Sequence, residues 1–251
     1  MNLFGLRIPF AVAPLLWGVL WEIVGQSGTV FIIPPLSSVF VSLFELVQRG
    51  NFQAAAWQTL TSFSKGMGLA VVVGIALGFL MGRVEAANRL LGMWVNIFAS
   101  APLSALVPVL MLLFGLGETT IIVTVFLFAV WIIILDTFAG VSKVNTSLVE
   151  MGRSFGATRV QLYVKLIFWA ALPEILAGIR LGLIRGVKGV VIGQLLVSVV
   201  AFGQLFATYS RNFMFDEFWA LAIVMFAFAL GLSGLIGKLE QRVEYYAGTR
   251  D

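Results

Sequence analysis

Long apolar runs, separated by short polar or charged turns, set the pattern of this chain. A helix rises 1.5 Å per residue and the hydrocarbon core of a bilayer is ~30 Å thick, so about 17–25 apolar residues can cross it. Six runs meet that length: residues 8–24, 57–81, 90–114, 119–135, 175–200 and 218–237. The connector at residues 25–56 is different. Pro34 and Pro35 stop a helix, and Ser37 or Ser38 can cap a short amphipathic one carrying Val39, Phe40, Leu43, Phe44 and Val47. Gly50-Asn51 is expected to end it. Too short and polar to span, this piece is predicted to lie along the surface.

Small residues recur inside the runs. Gly66, Ala70, Gly74, Gly78 and Gly82 fall at every fourth position of the second run, giving a helix face nearly free of side chains along which another helix can approach closely. Pro102 and Pro108 in the third run predict a bent helix, either lining a pathway or merely packed. The tight turn Phe114-Gly-Leu-Gly-Glu118 follows, and Asp136 is read as the end of the fourth run.

Composition makes these runs membrane spans. The chain of 251 residues is 60% hydrophobic and only 11% charged, where a soluble domain carries about 25% charged residues. The mean hydropathy is +1.03. An all-α integral membrane protein follows, with lipid as its solvent. Behind Arg7, the first run lacks a small-x-small cleavage site within residues 21–27, which favours an uncleaved helix over a signal peptide. The net charge of +4 is spread along loops rather than gathered in a patch, which speaks against nucleic-acid binding. With no Cys and no His there is no disulfide, no Cys/His metal site and no His-dependent triad. No G-x-x-x-x-G-K-[ST] loop is present to cradle ATP phosphates, so an enzyme reading is disfavoured.

The basic residues orient the spans. One set of loops and ends holds ten of them: Arg7, Arg83, Arg89, Lys143, Arg153, Arg159, Lys165, Lys238, Arg242 and Arg250. The other holds three, Arg49, Lys65 and Arg211. The positive-inside rule makes the first side cytoplasmic, together with both termini and the polar insert at residues 137–172. The chain then divides into an N-terminal transmembrane helix with a periplasmic amphipathic segment (residues 1–56), a core (residues 57–237) and a cytoplasmic tail (residues 238–251).

The insert carries two apparent capping boxes, Ser147-x-x-Glu150 and Thr158-x-x-Gln161, with Gly156 between them where a helix can end in a left-handed turn. It reads as helix, glycine turn, helix, with Phe155, Leu162, Tyr163 and Leu166 as apolar knobs and Arg153, Arg159 and Lys165 as charges. That shape suits docking in a partner's groove; a loop folded back on the membrane is the alternative.

Glu150-Met151-Gly152-x-x-x-Gly156 and the run to Pro173 resemble the EAA loop of binding-protein-dependent ABC transporter permeases, with Met151 and Gly152 in place of the two alanines. The likeness covers residues 59–237 and includes Leu103-Ser-Ala-Leu-Val-Pro108, Phe114-Gly-Leu-Gly-Glu118 and Ala139-Gly140-Val141, stretches most similar to the subgroup for sulfonates, nitrate and taurine. The resemblance implies the transmembrane domain of a type I importer with six transmembrane helices. The loop, at about residues 145–173, would be the coupling helix that docks on a cytoplasmic ATPase subunit through Glu150, Arg153, Phe155, Gly156, Ala157 and Arg159. ATP and Mg would be bound by that subunit, and this chain would hold no cofactor. A periplasmic or lipid-anchored binding protein would deliver the solute, and a second permease copy, most simply of this same chain, would complete the path in the inner membrane.

The fifth run departs from a plain apolar span, for it holds Arg180, Arg185 and Lys188. Each charge at a helix centre costs about 2.5–3.5 kcal/mol on insertion scales, so intramembrane cations are candidates for function. At 100° per residue, Arg185 and Lys188 fall beside the face formed by Gly178, Gly182, Gly186, Gly189 and Gly193, which predicts that both point into the protein; Arg180 is near the cytoplasmic end and can snorkel. Two roles stay open. The cations pair with Asp136, or together with Asp136 and the bend at Pro108 they line a path for a small anion such as a sulfonate, nitrate, taurine or organic acid. The competing functions are a carrier driven by an ion gradient and an ABC permease for a non-anionic molecule such as a vitamin precursor. The first is disfavoured because no His and no mid-span acid offers a proton relay.

Overall fold

The computed structural model describes residues 2, 3, 6, 7 and 12–247. Asn2–Leu3 (β1) pairs antiparallel with Leu6–Arg7 (β2), and the remainder of the described chain is built from helices. The first apolar run forms α1 (Val12–Ser27), residues 8–11 lying outside the described residues. The amphipathic connector forms α2 (Leu36–Gln48), but its start differs from expectation. Pro35 occupies the N-cap and makes no side-chain cap bond. The acceptor comes instead from α1, where the Glu22 carboxylate takes bonds from the Ser37 backbone N–H at 3.0 Å and the Ser37 hydroxyl at 2.8 Å. Ser38 turns away and donates to Asp216 at 2.6 Å.

Gly50 does not end a helix; it begins α3 (Gly50–Arg83), whose 34 residues reach about 51 Å at the helical rise. That exceeds a bilayer core, so one end of α3 protrudes. The level of the boundary is marked by Lys65, whose ammonium lies 2.7 Å from the Glu118 carboxylate at the start of α6 (Glu118–Ser142). Beyond this ion pair, Phe52 and Ala55 of α3 join Val39 and Leu46 of α2 in an apolar cap with α10 (Ala201–Arg211) and the start of α11 (Phe215–Ala247).

Three helices form the centre: α3, α6 and α9 (Phe168–Val197). Their approach follows from the small-residue stripes. An added Cβ at Gly66 would stand 2.6 Å from the Ile122 carbonyl oxygen of α6, and one at Gly78 2.6 Å from that of Ile134. On α9, Gly182 offers the same closeness to Ile133, at 2.7 Å. Ala70, Ile121, Val125, Ile133, Ile134 and Val190 are consequently sealed from solvent. Asp136 does not close α6, which continues for six further residues to Ser142.

The third apolar run is not one bent helix. It splits into α4 (Glu85–Ser100), a 3-10 turn (Leu103–Leu106) and α5 (Val107–Phe114), with 95° between the two arms. The break falls at Ala101-Pro102, where Ala101 is extended at ψ 148° and Pro102 has ψ 80°, whereas Pro108 sits in the first turn of α5, where a missing N–H disturbs nothing. By length and composition three helical stretches among the described residues suffice to cross a membrane, and the bent pair makes a fourth. The tail expected from residue 238 is helical through Ala247 as the end of α11; residues 248–251, Arg250 among them, lie outside the described residues.

Candidate functional site

The insert folds into a hairpin whose base is buried and whose tip is bare. Its first arm is α7 (Thr146–Ser154). The expected box at Ser147 and Glu150 does not form, because Asn145 takes the N-cap and its side chain accepts from the Ser147 N–H at 2.9 Å. The second box does form. The Thr158 hydroxyl accepts from the Gln161 N–H at 3.3 Å and the Gln161 side chain from the Thr158 N–H at 2.9 Å, opening α8 (Arg159–Gln161). Between the arms Gly156 has φ of +77°, a left-handed conformation that a Cβ would strain. The Ala157 N–H closes the turn on the Gly152 carbonyl at 3.0 Å.

Gly152 explains one departure from the alanine pair. A Cβ there would meet the methyl ends of Leu162 and Leu166 at 2.6 and 2.5 Å. The glycine lets the two arms close, and Val149, Leu162, Ile167, Ala171 and Ile175 pack beneath it against Val141 of α6. Above this base Glu150, Arg153, Gly156 and Arg159 are exposed, Ala157 half-exposed, and Phe155 is 85% exposed, a large ring held out from a fixed turn.

The hairpin is welded to the fifth span. Where a connector up to residue 172 was expected, helix runs without interruption from Arg159 to Val197, with a π-helical stretch at Leu162–Ile167 and Pro173 inside α9. The wider π turn absorbs the register shift ahead of the proline. Displacement of the tip therefore acts on α9 as a lever rather than through a slack loop.

On that lever sit the basic residues. The Arg185 Nη1 donates to the Ala99 carbonyl at 3.3 Å, in the last turn of α4 beside the break. Next to Ala99, Phe98 stacks on Trp131 of α6 with ring centroids 4.8 Å apart. Asp136 is half-buried with its Cβ 2.8 Å from where a Cβ on Gly178 would be, and its Oδ2 has no hydrogen-bond partner. No ion pair joins it to Arg185 or Lys188 among the described residues, so the pairing anticipated for these cations is absent. Lys188 does not point inward either. It is exposed, since the glycine face of α9 is narrower than the arc over which the helical wheel placed it. Pro108 is exposed on α5, which touches α9. The structure thus brings Arg185 to the break, while Asp136 packs at Gly178, two turns back along α9, and Lys188 stands one turn further on.

Two parts of this arrangement were missed in the sequence. The Ala99 carbonyl has no side-chain signature and emerges only from the broken span. Helix α10 was readable, because Phe202, Leu205, Phe206 and Tyr209 recur at the spacing of a buried helical face.

Comparison with known proteins agrees with this architecture. Residues 70–245 match the family described as binding-protein-dependent transport system inner membrane component. The taurine transport system permease protein TauC of Escherichia coli is 29% identical over 82% of this chain and 78% of its own. The putative aliphatic sulfonates transport permease protein SsuC of Bacillus subtilis is 27% identical over 94% of this chain and 81% of its own. The bicarbonate transport system permease protein CmpB of Synechococcus elongatus is 25% identical over 94% and 86%. Among solved structures, a chain from the inward-facing conformations of the MetNI methionine ABC transporter superposes with a TM-score of 0.61 at 21% identity, covering 74% of this chain and 93% of that one, a likeness of fold. A family match over residues 70–245, joined to the bare-tipped hairpin fused to a span, places this chain in the binding-protein-dependent transport system inner membrane component family.

Proposed function

We propose that the chain is the transmembrane subunit of an ATP-driven importer for a small organic or inorganic anion. The observation that carries this reading is the hairpin: a buried base, an exposed Phe155 at a rigid turn, and an unbroken helix from there to the cations of α9. Two copies of the chain enclose the path in the inner membrane, with the termini and hairpins on the cytoplasmic side as the basic residues sort. A cytoplasmic ATPase subunit binds ATP and Mg and seats Glu150, Arg153, Phe155, Gly156, Ala157 and Arg159 in a cleft; this chain itself performs no catalysis. A periplasmic or lipid-anchored binding protein presents the solute.

Alternating access follows from the lever. When the ATPase pair closes, the hairpins move together and α9 tilts with them. Arg185 then exchanges the Ala99 carbonyl for the solute's charge, with Asp136 close by to take up the guanidinium once the anion has passed. The relatives named for taurine, aliphatic sulfonates and bicarbonate support an anionic cargo. The test is uptake by the assembled complex with Arg185→Ala and Lys188→Ala at unchanged protein level. We expect uptake to fall at least tenfold for the double variant; unchanged uptake would remove both residues from the path.

A further inference from the structure

A groove of about 300 Å³ lies between the last turns of α3 and the π-helical stretch that joins the hairpin to α9. Ile75 and Phe79 form one wall, and Tyr163, Val164 and Phe168 the other. The rings of Phe79 and Tyr163 meet edge to face, with centroids 6.2 Å apart. One helical turn beyond Phe79 and on the same face, the half-buried Arg83 lays its guanidinium over the Tyr163 ring, 5.8 Å from the centroid. Among the described residues Arg83 is in no ion pair, and Glu85 beside it is held by Arg89 at 2.6 Å.

Depth decides what such a groove takes. Arg83 lies eighteen residues along α3 from Lys65, about 27 Å at the helical rise. The Lys65–Glu118 ion pair marks one boundary of the bilayer, so Arg83 stands at the opposite one, across a hydrocarbon core of ~30 Å. Ile75 lies eight residues back from Arg83, ~12 Å into the acyl layer. Ala76 and Val164 are exposed, so the groove opens sideways to lipid. An apolar groove that begins at a boundary, beneath a stacked guanidinium with no acid partner, fits a molecule with an anionic head and an apolar chain below it. Basic sites between helices on the cytoplasmic side take phospholipid headgroups in this way. A water-soluble anion would leave the groove empty, and a zwitterionic lipid would bring its own ammonium against the guanidinium.

We propose that this groove binds one anionic phospholipid of the cytoplasmic leaflet, with its phosphate on Arg83 and one acyl chain between Phe79 and Phe168. The assignment of the leaflet rests on the importer reading. Tyr163 and Val164 belong to the π-helical stretch, so the bound lipid braces the joint through which the hairpin moves α9. A membrane poor in anionic lipid leaves that joint loose.

The test is lipid retention by the full chain in native mass spectrometry, with phosphatidylglycerol and phosphatidylcholine of identical acyl chains as probes. One phosphatidylglycerol should bind at least about fivefold more tightly than phosphatidylcholine. Arg83→Gln should remove that preference and Arg83→Lys should keep most of it. Arg89→Gln, which alters an exposed cation already paired with Glu85, should leave it unchanged. Ala76→Trp, which fills the groove, should lower retention of both lipids. In nanodiscs, amide exchange across Leu162–Ile167 should slow at least about threefold when phosphatidylglycerol replaces phosphatidylcholine, and should not slow in Arg83→Gln. Equal retention of the two lipids, or equal losses of preference in Arg83→Gln and Arg89→Gln, overturns the proposal. So does displacement of phosphatidylglycerol by glycerol 3-phosphate, which assigns Arg83 to a free phosphate, or its exclusion whenever two copies associate, which assigns the groove to the second copy. Unchanged exchange across Leu162–Ile167 with the lipid retained overturns the bracing. ATP-driven uptake alongside equal retention defeats the lipid site alone; a lipid preference without any ATP-driven uptake defeats the importer reading alone.

Discussion

Replacing Phe155 by aspartate is expected to abolish assembly with the ATPase while leaving the membrane core intact. The ring is 85% exposed at the tip of the hairpin, so its loss removes no internal packing. Buried aromatic anchors at interfaces contribute ~2 kcal/mol or more on truncation, and a carboxylate placed in the same apolar seat adds a desolvation cost. Binding should therefore weaken at least about thirtyfold at 1.4 kcal/mol per decade. Phe155→Leu, which keeps an apolar knob, should weaken it by no more than about tenfold. Affinity measured between the purified chain and its ATPase checks the difference, and the thermal transition of the chain alone should not move. A lower transition in Phe155→Asp would show that the ring serves folding.

The second large effect concerns the close approach of α3 to α6. Gly78→Leu should prevent recovery of folded, monodisperse protein, and Gly78→Ala should cost ~1–3 kcal/mol. The added Cβ would face the Ile134 carbonyl oxygen at 2.6 Å and the Thr137 Cβ at 2.7 Å. The backbone there cannot retreat, since Gly74 against Ile133 and Gly82 against Val141 hold the helices together one turn to either side, each with 2.7 Å for a new Cβ. Gly68, on the exposed side of the same helix, has nothing within 4 Å. Gly68→Ala should be neutral or slightly stabilising by helix propensity. Thermal unfolding in one detergent reads all three, and equal losses at Gly68 and Gly78 would contradict the packing account.

The contrast between those glycines also shows what the amino-acid order discloses. The fourfold spacing from Gly66 to Gly82 announces a contact face because the helical period is built into it. Gly156 and the Thr158–Gln161 box are equally local: a left-handed turn and a reciprocal cap are each set within four residues. The Ser147 box failed for a related reason, as Asn145 stood two positions earlier and an Asn oxygen caps as well as a Ser hydroxyl. Features that depend on a partner were not legible. The 95° break at Ala101-Pro102 looks in sequence like an ordinary proline kink, and the unbroken helix from Arg159 to Val197 runs through Pro173, which a local rule reads as a boundary. Lys188 was placed inward because an ideal wheel assigns angles without knowing how wide the contacting face is.

In the proposed importer, ATP acts through the hairpin to drive an anion across the membrane. Accumulation of labelled taurine, hexanesulfonate and bicarbonate should be followed in vesicles holding the chain with its co-purifying ATPase and binding protein. Accumulation of at least one of these should require ATP, persist when an ionophore dissipates ion gradients, and disappear with Phe155→Asp. Accumulation that continues without ATP and collapses with the ionophore would contradict it, and would make the chain a gradient-driven carrier.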